Sequence, residues 1–173
     1  MTKKLCVALA TMLACLGAQA NGASVFSATL LGSNEVGLPG DPDGIGVASA
    51  VIDSHTGQVD WSITFANLST VVGAHIHTGV AGTNGPIIVN FAVPTGLSGN
   101  GSFSGSLIDP DAMGITDFTA ANFYFNVHTS QFPGGAIRGQ LAAVPEPGSY
   151  ALMLAGLAAV GGISRRMAQR RMD

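Results

Sequence analysis

The chain has 173 residues, 47% of them hydrophobic and 10% charged, with a formal net charge of −3. That length holds one domain plus targeting segments, and the apolar content is concentrated at the two ends. Of seven basic residues, six lie in the outermost segments, which excludes a basic nucleic-acid-binding face on the middle of the chain.

Lys3 and Lys4, the apolar run from Leu5 to Leu16, and the small-x-small triplet Ala18-Gln19-Ala20 predict a secretory signal peptide over residues 1–20. Its apolar helix lies outside the folded domain, and Ala18 and Ala20 set the cleavage site. Both cysteines, Cys6 and Cys15, fall inside it, so the exported domain has no disulfide and no cysteine metal site. Residues 21–143 must therefore be held by packing, and a chain of that size buries roughly two-thirds of its unfolded surface.

Within 21–143, alternating residues bounded by Gly, Pro, Asn and Asp predict strands near Ser24–Leu31, Gly46–Asp53, Gln58–Phe65, Val71–His77, Pro86–Phe91, Gly101–Leu107, Phe123–His128 and Ala136–Ala142. The third is the clearest, with Val59, Trp61, Ile63 and Phe65 on a core face. Ser54-His55-Thr56-Gly57 reads as a hairpin turn. A helical turn is expected over Asp117–Ala121, capped by Thr116. The fold class is all-β: an antiparallel β-sandwich or Greek-key barrel, with a hydrophobic helix outside the domain at each end.

Charge is one-sided in this segment, with eight carboxylates against the single base Arg138, a formal −7. Arg138 is expected to form a structural ion pair with Glu35. Such a surface repels nucleic acid and favours cations or basic partners.

Residues two apart on a strand share a face, so His75 and His77 point together. On the strand from Phe123, Tyr124, Asn126 and His128 share a face, and His128 joins the pair if the two strands are neighbours. Three neutral imidazoles suit Zn²⁺ or Cu²⁺, with a fourth position for water or an acidic residue such as Asp41 or Asp43. The alternative is structural: the imidazoles bond to backbone carbonyls and to Asn126 or Thr129, and pin loops. The chain has no nucleophile elbow, phosphate-binding loop or paired-glutamate pattern, so no enzyme is expected.

At the C-terminus, Val144-Pro145-Glu146-Pro147-Gly148 precedes an apolar run over 150–163 and then Arg165, Arg166, Arg170 and Arg171. A helix over that run would be only ~21 Å long against a hydrocarbon core of roughly 30 Å, which suits a temporary anchor. The arginines should stay cytoplasmic, leaving the domain outside the inner membrane. Pro145, Glu146 and Pro147, the apolar helix, and Arg165 and Arg166 resemble the PEP-CTERM sorting signal of Gram-negative bacteria, here over 144–173. The resemblance implies recognition by an exosortase, processing near the Pro-Glu-Pro motif, and delivery to the cell surface or an exopolysaccharide-rich matrix, as in a biofilm.

A second resemblance rests on Glu35-Val36, on Ala74-His75-Ile76-His77-Thr78-Gly79 with Asn84-Gly85-Pro86, on Asn126-Val127-His128-Thr129, and on Ile137-Arg138-Gly139-Gln140-Leu141. These are similar to the CHRD domain, over about Ser24 to Leu141. Gly37-Leu38-Pro39 and Ala136 depart from its usual pattern. The resemblance implies an extracellular β-domain without established catalytic activity. The function expected is thus an exported binding or structural module that meets exopolysaccharide or secreted proteins. A histidine-based zinc- or copper-binding protein, with redox activity open to it, is the alternative.

Overall fold

The computed structural model describes residues 23–116, 119–145 and 153–160. Its strands are β1 (Ala23–Leu31), β2 (Ile45–Asp53), β3 (Gln58–Leu68), β4 (Val71–Thr78), β5 (Ile87–Asn90), β6 (Gly99–Ile108), β7 (Phe123–Thr129), β8 (Ile137–Gln140) and β9 (Ala142–Ala143). All pair antiparallel, in the order β5-β4-β7-β8-β1-β2-β3-β6, with β9 beside β1.

The sheet curls into a half-barrel whose two halves face each other across the core. One half is β1, β2, β3 and β6; the other is β4, β5, β7 and β8. Among the described residues these strands meet along the sheet where Leu31 pairs with Arg138. The chain passes between halves at β3–β4, β5–β6 and β6–β7, the kind of crossing that lets both inner faces enclose one apolar layer.

Period-two alternation produces that layer. Burial follows eBeBeBeBi along β2, and on β3 the predicted face of Val59, Trp61, Ile63 and Phe65 is at most 5% exposed. From the other half come Ala74, Ile76, Val89, Phe91, Phe125 and Val127. Trp61 stacks on Phe91 with ring centroids 4.5 Å apart, and Phe91 lies 6.1 Å from Phe125, so aromatic contact bridges the halves directly.

Local departures have identifiable causes. Asn67, at φ 63°, breaks the β3–β6 register between Phe65 and Leu68, and its side chain bonds the Asp43 carbonyl at 3.0 Å. The last predicted strand is interrupted at Leu141: β8 pairs with β7 and, at Arg138, with β1, and β9 continues along β1 in the same register beyond the end of β7. Where a helical turn is expected, a 3-10 turn runs over Ala120–Asn122, starting three residues later than predicted, and Asp117 lies outside the described residues. Thr119 rather than Thr116 leads into it, and its hydroxyl accepts from the Thr116 amide at 3.0 Å.

In the C-terminal segment, helix 153–160 is exposed throughout, and no helix among the described residues is long and apolar enough to cross a membrane. Pro145 is exposed. The signal peptide with Ala18 and Ala20, and Glu146, Pro147, Arg165 and Arg166, lie outside the described residues.

Candidate metal centre

β4, β7 and β8 carry polar side chains on the face turned away from the core. Register sets His75 beside Asn126 and Asn126 beside Arg138, and in the next row His77 beside Tyr124 and Tyr124 beside Gln140. His128 lies opposite Gly73 on β4. The inward face of the same strands holds Ala74, Ile76, Phe125, Val127 and Ile137, all fully buried, so alternation fixes the outward direction of the histidines.

This outer face is covered. Three loops, over residues 32–40, 79–86 and 130–135, lie on it and are tied to it by side chains. Arg138 donates to Asn84 Oδ1 at 2.8 Å and to the Thr83 carbonyl at 2.6 Å. Asn84 in turn donates to the Val36 carbonyl at 2.9 Å, linking two of the loops. Arg138 is 2% exposed and Tyr124 2%; the guanidinium lies 3.4 Å from the Tyr124 ring centroid, and His77 stacks on that ring at 4.9 Å and 9°.

The expected ion pair does not form directly. Arg138 spends its donors on Asn84, Thr83 and Gln140, whereas Glu35 Oε2 accepts from Asn126 Nδ2 at 3.4 Å. Glu35 is packed against Gly135, and Oε1 is buried without a partner. Burial pushes its carboxyl up to about 7, partly opposed by the Asn126 bond and the charge of Arg138. Asn126 and the backbone of loop 79–86 take the positions that a direct pair would need.

The three histidines do converge. One ring nitrogen of each of His75, His77 and His128 lies within 4.8 Å of the others, and the ring centroids are 4.9–6.1 Å apart. The tautomers follow from the partners. His77 Nδ1 is 2.9 Å from the Gly85 carbonyl oxygen and His128 Nδ1 is 3.0 Å from that of Pro133. A carbonyl only accepts, so both Nδ1 atoms carry the proton and both Nε2 atoms present a lone pair. His77 Nε2, His128 Nε2 and His75 Nδ1 are buried and have no hydrogen-bond partner among the described residues.

Electrostatics keep the rings neutral. Burial holds the His75 imidazole down to about 4, with the neighbouring His128 and His77 adding to the effect. Burial likewise lowers His77 and His128, although the carbonyl bonds to Gly85 and Pro133 pull the other way. Neutral imidazoles with aimed lone pairs need no proton displaced before they take a metal. A metal at 2.0–2.1 Å requires nitrogens about 3.4 Å apart, so the rings would close inward by about 1 Å.

Asp41 and Asp43 do not join the centre, and no carboxylate does so among the described residues. Asp41 Oδ1 instead accepts from the Asp43 and Gly44 amides and shapes its own loop. His55, at the β2–β3 turn, is exposed and sits 3.8 Å from Asp53, as befits a turn residue.

A family model described as the CHRD domain matches residues 26–141, and those residues contain the whole polar layer. The chain belongs to the CHRD family. A second model, the PEP-CTERM protein-sorting motif, matches residues 143–171. No curated protein and no solved structure matches the chain. The sorting motif marks a secreted protein, recognised by an exosortase and transiently anchored in a membrane. The CHRD match ends at Leu141, two residues before the match to the sorting motif begins.

Proposed function

We propose that the CHRD domain is an exported binding module whose ligand is a single transition-metal ion, zinc or copper, held by His75, His77 and His128. The observation that carries this reading is the convergence of one ring nitrogen from each of the three histidines to within 4.8 Å, on rings that each hold a buried nitrogen without a partner among the described residues. A buried acceptor left unsatisfied costs about 1–3 kcal/mol, and coordination of one cation by the three rings would relieve that cost. The carbonyl bonds from His77 and His128 are the second contacts that orient metal-binding imidazoles. Loop pinning and metal binding therefore use opposite sides of the same rings.

On this reading the protein binds and does not catalyse. After exosortase processing it is displayed at the cell surface or in an exopolysaccharide-rich matrix, where its acidic surface draws in cations. Competition with a chromophoric zinc chelator tests the site: the chain should take up one equivalent, and the His75→Ala, His77→Ala and His128→Ala variants should each lose it. Retention of full affinity by all three variants would place any bound metal elsewhere.

A further inference from the structure

The two free edges of the sheet differ. β5 has four residues, follows Pro86, and pairs irregularly with β4 between Ile76 and His77, so it offers little to another strand. β6 is ten residues long, pairs with β3 alone among the described residues, and carries no charged residue and no proline from Gly99 to Ile108. Edge strands ordinarily carry lysine, proline or bulges that prevent pairing with another chain. β6 carries none of these devices along its eight consecutive pairs with β3, from Gly101 to Ile108.

The side chains of β6 are also self-complementary. Gly101, Phe103, Gly105 and Leu107 face inward, and Asn100, Ser102, Ser104 and Ser106 face outward. Place a second β6 antiparallel to the first, centred on Ser104. Phe103 then stands opposite the partner's Gly105 and Leu107 opposite the partner's Gly101, each large side chain against a glycine. Ser102 stands opposite the partner's Ser106, and Ser104 opposite its own copy. Hydroxyl pairs and aromatic-over-glycine pairs are both favourable cross-strand combinations.

Two further observations support this register. Gly105 lies under Trp61: a Cβ there would come within 2.8 Å of the indole, whose buried Nε1 has no partner among the described residues. The partner's Phe103, opposite that glycine on the same face, would continue the aromatic row from Trp61 into the second copy. Charge permits the approach despite the formal −7 of the domain. Asp60, beside Ser106 on β3, would be about 20 Å from the partner's Asp60, from three strand spacings and a four-residue offset, or about two Debye lengths. Asp109, just past β6, would face the partner's uncharged Gly99.

We infer that β6 is a self-association edge, through which two copies of this chain join antiparallel about Ser104 into one continuous sheet. Such a contact is isologous and closes as a dimer. It is independent of the metal centre, which lies on strands of the other half.

Cysteine cross-linking tests both the contact and its register, on the full chain in a Cys6→Ser, Cys15→Ser background with excess chelator present. Opposite residues of an antiparallel pair lie about 4.5–5.5 Å apart, within disulfide reach. Ser104→Cys should oxidise to a dimer, and Ser102→Cys should cross-link with Ser106→Cys but not with itself. Ser49→Cys, exposed on the central strand β2, is the control. Cross-linking of Ser104→Cys no faster than the control would overturn the proposal, and self-linking of Ser102→Cys at the Ser104→Cys rate would overturn the register. Sedimentation provides a second readout: the unsubstituted chain should dimerise, and Ser104→Lys should be monomeric with an unchanged circular dichroism spectrum. A monomeric unsubstituted chain at every concentration reached would also overturn the proposal.

Discussion

Replacing Arg138 by methionine removes the tie between the polar layer and the loop over it. Arg138 is 2% exposed, makes bonds of 2.8 Å to Asn84 and 2.6 Å to Thr83, and packs over Tyr124. Two hydrogen bonds from a charged donor contribute about 1.5–3 kcal/mol each, and the ring contact about 1–2. Release of a buried charge offsets several kcal/mol of this, and Asn84 and Thr83 lie near enough to solvent to be rehydrated. The net loss should be about 3 kcal/mol, a large share of the roughly 5–15 kcal/mol that holds a domain together. Urea unfolding would show it as a lower midpoint at unchanged slope. Arg138→Lys should recover less than half, because an ammonium keeps the charge but lacks the fork that reaches both acceptors. Because the loop also carries the Gly85 carbonyl that orients His77, zinc affinity of Arg138→Met should fall about 10-fold or more. A stability change under about 1 kcal/mol, or full rescue by lysine, would refute this account of the layer.

Other perturbations follow from the same layer. Glu35, raised to about 7, stabilises the fold below pH 4.5 and loses that contribution as pH rises through 7. Glu35→Gln should thus match the parent near pH 4 and exceed it at pH 8 by about 1 kcal/mol, allowing for the solvent that reaches the carboxyl, in chemical denaturation at the two pH values. The depressed histidines act in the opposite sense: their contribution is complete above about pH 6.5 and is lost as pH falls toward 4. Metal-free protein carrying His75→Gln should consequently show a shallower acid loss between pH 6.5 and 4 than the parent. Gly85→Ala puts a Cβ onto the Thr78 carbonyl oxygen, so the loop must move and the Gly85 bond to His77 with it. That variant should lose stability by about 1–3 kcal/mol and bind zinc more weakly, measured by unfolding and by chelator competition.

Much of this was legible in alternation. The face of Val59, Trp61, Ile63 and Phe65 is buried as its period predicts, and the two-residue spacing of His75 and His77 sets both on the face they share with His128. What alternation does not reveal is that both faces of β7 are covered, one by core and one by loops, since period two separates faces without saying what lies on each. For the same reason alternation does not identify the partner of Arg138. Opposite charge suggested Glu35, but the stronger local fact is geometric: the loop after β4 lays Thr83 and Asn84 over the guanidinium, and Asn126 stands at the carboxylate. Tyr124 follows His128 by alternation, but its stacking between His77 and Arg138 depends on the registry of three strands that no local pattern encodes.

The central claim is most directly tested by elemental analysis of the exported protein, purified without a histidine tag, beside its His75→Ala, His77→Ala variant. One zinc or copper per chain in the parent, absent from the variant, is the predicted result. A parent that holds neither metal after incubation with both would contradict the metal centre, and would leave the three imidazoles as loop anchors.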